Sequence, residues 1–71
     1  METTDTVRFS EVMVYLSLNF PEREVGQNLL KSYFRDLSEF GIDEIEKAAK
    51  AYVRTGYKFP LISDLIRLLS A

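Results

Sequence analysis

Apolar residues recur at three- and four-residue steps in four stretches of this chain, and prolines and glycines punctuate the intervals. The clearest stretch is 21–39. Val25, Leu29, Leu30, Tyr33, Phe34 and Leu37 fill one arc of a helix, while Gln27, Lys31, Arg35 and Glu39 fill the other. Pro21 suits a first helical position, Phe20 before it is biased to extended backbone, and Glu22 and Glu24 fall where the helix dipole favours anions. Gly26 lies within the apolar arc and predicts a close approach of a second helix there. Gly41 is the predicted stop.

The next helix is predicted over 43–55. Asp43 and Glu46 carry capping-box spacing, Ile45, Ala48, Ala49 and Tyr52 form the inner face with Val53 at its border, and Gly56 ends it. Phe59-Pro60 repeats the earlier Phe-Pro start and opens a helix over 60–70. Leu61, Ile62, Leu65, Ile66, Leu68 and Leu69 cover an arc of about 160° on it. The first stretch, roughly 6–19, is the most ambiguous. Phe9, Val12, Met13 and Leu16 share a helical face, yet Val12 to Tyr15 is also good strand sequence. A lone strand finds no partner elsewhere in the chain, so helix is the reading. The expected fold is all-α, a small bundle of four helices with short connections. It forms a single helical domain over 1–71, with 1–5 disordered.

Composition narrows the chemistry. The 71 residues make one small domain, and 46% apolar content supplies one core. There is no Cys and no His, which removes disulfides, zinc-finger sites, thiol nucleophiles and histidine acid–base catalysis. No apolar run approaches the ~20 residues that span a bilayer. Residues 1–6 are polar and acidic, unlike a signal peptide. A cytoplasmic protein with no cofactor and no membrane partner is expected.

Three groups of side chains are candidates for function. The carboxylates Asp43, Glu44 and Glu46, and Glu22 and Glu24, have the makings of an acid–base or metal site, but their places at helix starts assign them to capping. Lys47, Lys50 and Arg54 lie within about 60° of one another on a helix, with Tyr57 and Lys58 just beyond. Such a strip suits a nucleic-acid backbone with one stacked base, although a net charge of −2 and a solvated helix face argue the other way. Finally, Val14, Tyr15 and Leu18, with Leu61 and Leu68, exceed what one amphipathic stripe requires. Either the first helix is buried on two sides, or these residues meet a partner or a second copy.

The order of features from Tyr33 onward resembles a known family. The stretch "GIDEIEKAAKAYVRTGYKFPLISDLI" carries a capped helix with small residues, a basic turn, Phe-Pro and a short helix, and "LNFPERE" precedes it. This is similar to the N-terminal domain of phage and prophage replicative helicase loaders, including the loader-and-inhibitor group. The best-matching residues are Lys58-Phe59-Pro60 and Ser63-Asp64-Leu65-Ile66. The resemblance implies a helical scaffold that binds a replicative helicase. Tyr33 stands where the family usually has Trp, and the flexible segment with which those loaders hold the helicase would lie beyond Ala71. The function expected is therefore a non-enzymatic protein-interaction module. The alternatives are a small nucleic-acid-binding regulator using Lys47, Lys50, Arg54, Tyr57 and Lys58, and a structural dimerisation domain.

Overall fold

In a computed structural model, which describes residues 3–70, a single turn of 3-10 helix (Thr3–Asp5) runs straight into α1 (Thr6–Asn19). Residues 3–5, expected to be disordered, thus extend the first helix; residues 1 and 2 lie outside the described residues. Phe9, Val12, Met13 and Leu16, spaced i, i+3, i+4 and i+7, are all buried on one side of α1. Helix α1 ends at Phe20, which precedes Pro21 and leaves the helical region with a φ of −132° and a ψ of 72°, and its N–H closes the last turn on the Leu16 carbonyl at 2.9 Å.

The chain then departs from the expected helix over 21–39. Residues 20–26 are a connection, and α2 covers only Gln27–Asp36. A helix begun at Pro21 would carry Gly26 inside it, at a cost of roughly 1 kcal/mol against Ala. Gly26 instead takes an extended conformation at the N-cap of α2, and a Cβ there would meet nothing within 4 Å. No close helix approach occurs at that position. Glu22 is likewise not a first-turn anion: its Oε2 accepts the N–H of Phe59, 2.8 Å away. After Asp36 the chain turns at Leu37, which is fully buried, and the Phe40 N–H bonds the Leu37 carbonyl at 3.0 Å.

Helix α3 spans Ile42–Thr55 and α4 spans Ile62–Ser70. Gly41 proves to be the N-cap of α3, its N–H donating to Glu44 Oε1 at 3.3 Å. Asp43 and Glu46, assigned to capping by their spacing, turn to α1 instead. Arg8 Nη2 donates to Asp43 Oδ1 and Glu46 Oε1, both at 2.7 Å, and Arg8 Nε reaches Glu46 Oε2 at 3.3 Å. Pro60 is buried just outside α4, whose start is closed by Asp64 Oδ2 accepting the Leu61 N–H at 3.0 Å. There is no strand among the described residues.

Helix α3 packs on both α1 and α4, and its small Ala48 and Ala49 let the helices approach. Buried side chains from all four helices and from the connections (Phe20, Leu37, Phe59) form one core. The molecule is flat, 29 × 28 × 16 Å, so a large share of α1 and α3 faces outward.

Candidate protein-interaction surface

The 56–61 turn is the most heavily braced loop. The Tyr33 hydroxyl donates to the Pro60 carbonyl at 2.7 Å and the Tyr52 hydroxyl to the Lys58 carbonyl at 2.9 Å, while Glu22 holds the Phe59 N–H. Edge-on aromatic pairs add to this: Tyr33 against Phe59, with centroids 6.1 Å apart, and Tyr52 against Phe20, at 5.7 Å. Burial pushes the Tyr33 phenol above its usual range. The Tyr52 phenol is raised too, first by loss of water and then by the charge of Asp64. Tyr33 therefore anchors the Phe-Pro turn. The turn presents Tyr57, 87% exposed, and the exposed Lys58 to solvent.

The five apolar residues singled out in the sequence are all exposed, but they do not form one patch. Val14, Tyr15 and Leu18 lie together on the outer side of α1, joined by Val7. Val7 is 70%, Val14 54% and Leu18 76% exposed. Leu68 borders a groove between α3 and α4 that includes Lys47, Ala48, Ala51 and Leu69. Leu61 lies beside Glu22, Arg23, Lys58 and Phe59 at the braced turn. Tyr15 also reaches the groove between α1 and α3, where it shares the lining with Glu11, Glu46, Ala49 and Lys50.

The basic strip is therefore interleaved with the apolar set. Lys50 lines a groove together with Tyr15, Lys47 with Leu68, and Lys58 with Leu61. Among the described residues Lys47, Lys50, Arg54 and Lys58 make no ion pair. All four carboxylates on α3 and α4 are engaged: Asp43 and Glu46 by Arg8, Glu44 by the Gly41 N–H, and Asp64 by the Leu61 N–H and Arg67. No group of these carboxylates is arranged to hold a metal ion among the described residues.

Val7 escaped the sequence reading, and so did the role of Arg8. The signal for Val7 was present: it lies seven residues before Val14 and eleven before Leu18, on the same side of the helix. The tie from Arg8 to Asp43 and Glu46 spans more than thirty residues of sequence and leaves no local signature.

Fold and surface define a small all-α bundle with apolar side chains left in solvent. No family model, characterised protein or solved structure matches the sequence. No helix among the described residues is long and apolar enough to cross a membrane.

Proposed function

We propose that this chain is a non-enzymatic protein-interaction module and that the outer side of α1 is its docking surface. The observation that carries the reading is the exposure of Val7, Val14 and Leu18 on one side of a helix whose opposite side is buried in the core. Isolated exposed apolar residues are ordinary, but a contiguous row along a helix is what a partner covers. The resemblance to phage and prophage helicase loaders points to a replicative helicase as that partner. The test is capture of the purified helicase of its host by the immobilised chain and by the Val14→Asp and Leu18→Asp variants. Wild type is expected to retain the helicase, and both variants are expected to release it while melting at the wild-type temperature. Equal retention by all three would reject the α1 surface, and no retention at high helicase concentration would reject the partner.

A second reading has its own support. Lys47, Lys50, Arg54 and Lys58 make no ion pair among the described residues, and Tyr57 stands clear of the surface. A small nucleic-acid-binding regulator would use these five residues, with affinity falling steeply as salt rises. Unchanged binding of single-stranded DNA by Lys50→Glu/Arg54→Glu would dispose of it.

A further inference from the structure

The exposed row on α1 has a heptad-like register. Val7, Glu11, Val14 and Leu18 follow one another at steps of four, three and four, the spacing of a two-helix seam. They lie within about 60° of one another, opposite the buried Phe9, Val12, Met13 and Leu16. One position of the seam, Glu11, is charged. Its side chain is exposed and has no ion pair among the described residues. The nearest cation on its own helix, Arg8, is held by Asp43 and Glu46, and Lys50, which lines the adjoining groove, does not close on it.

A carboxylate in the middle of an apolar seam selects what covers it. Burial without a counter-charge is costly, so the covering helix must supply a cation at that level. A second α1 cannot, because its one cation, Arg8, is held by Asp43 and Glu46. Parallel pairing sets two Glu11 side chains next to each other. Antiparallel pairing that matches Val7 with Leu18 sets each Glu11 against a valine, with the two carboxylates only about 4.5 Å apart along the axis. Resting on the docking surface proposed above, we infer that the partner contributes an amphipathic helix whose apolar stripe is interrupted by one Lys or Arg placed opposite Glu11. Glu11 then works in two directions: it pairs with the right helix and repels a second α1.

The probes are two stapled helical peptides with leucine at three of the four seam positions. One carries Arg and the other Glu at the site facing residue 11, and binding to the full chain is read by fluorescence anisotropy. Wild type is expected to bind the Arg peptide at least tenfold more tightly, Glu11→Lys to reverse the preference, and Leu18→Asp to abolish both. Sedimentation should show wild type as a monomer and Glu11→Leu as a dimer at the same concentration. Equal affinity of both peptides for wild type and Glu11→Lys, or a wild-type dimer lost in Leu18→Asp, would overturn the inference. The helicase assay separates the two levels. Capture lost in Leu18→Asp but unchanged in Glu11→Gln leaves α1 as the docking surface and removes only the partner's cation. Capture unchanged in both removes the surface itself.

Discussion

Tyr33 shows how one residue serves several levels of the structure at once. Its ring lies in the core, its edge meets Phe59, and its hydroxyl satisfies the buried Pro60 carbonyl at 2.7 Å. Tyr33→Phe keeps the packing and strands that carbonyl, so a loss of about 1–3 kcal/mol is expected in urea unfolding. Its pKa also makes stability depend on pH. The folded-state value lies above the ordinary 10.0, so the contribution is complete below that pH and declines as pH rises through the folded value. Melting curves should therefore fall more steeply above pH 10 in wild type than in Tyr33→Phe. Gly56 makes a different demand. Its φ of −78° and ψ of 155° suit any residue, but a Cβ there would run into the Tyr52 ring. Gly56→Ala is expected to cost about 1–3 kcal/mol by displacing that ring from Phe20 and from the Lys58 carbonyl. An unchanged midpoint would show that the ring moves aside freely. The apolar character of both tyrosine rings was legible from their spacing. The hydroxyl partners were not, because backbone carbonyls have no sequence signature.

Among the elements, local signals succeeded where local forces decide. The periods of α1, α3 and α4 were readable to within two residues, because each places its apolar residues on one side and has a Phe-Pro or a glycine at one boundary. Helix α2 was drawn too long at both ends. Pro21, Glu22 and Glu24 make a sound helix start in isolation, but Glu22 is drawn off to the Phe59 N–H, and Gly26 prefers an extended cap to a helix interior. Asp43 and Glu46 went the same way, leaving capping to Glu44. Arg8 ties α1 to the first turns of α3 through an exposed ion-pair network, which salt screens. Arg8→Gln should lower the melting temperature at low ionic strength, and the gap from wild type should shrink as sodium chloride is raised. A gap that persists undiminished would mean that the guanidinium acts by packing.

At the scale of the whole molecule, 71 residues leave little margin. At roughly 0.05–0.15 kcal/mol per residue, a domain of this size is held by a net of about 4–11 kcal/mol. The core draws on every helix, with Leu16 and Leu37 fully enclosed. Leu37→Ala, in the turn between α2 and α3, removes a side chain with no route to water and should cost about 2–5 kcal/mol. Loss of cooperative thermal unfolding by circular dichroism would be the readout. The flat outline carries the functional consequence. In a layer 16 Å thick, α1 has neighbours on one side only, so residues beyond its core stripe have nowhere to be buried.

The sequence by itself determined the helical class, the breakpoints at Phe20, Gly56 and Phe59, and the stripe that α1 turns inward. These follow from periodicity and from the backbone limits of proline and glycine, which act over a few residues. Tertiary structure alone decided which carboxylates cap and which bridge, that the apolar and basic candidates interleave, and that Val14, Tyr15 and Leu18 stay in solvent. Each of those outcomes turns on which distant segment arrives beside a side chain, and a hydrogen-bonding or apolar group takes the partner that packing brings.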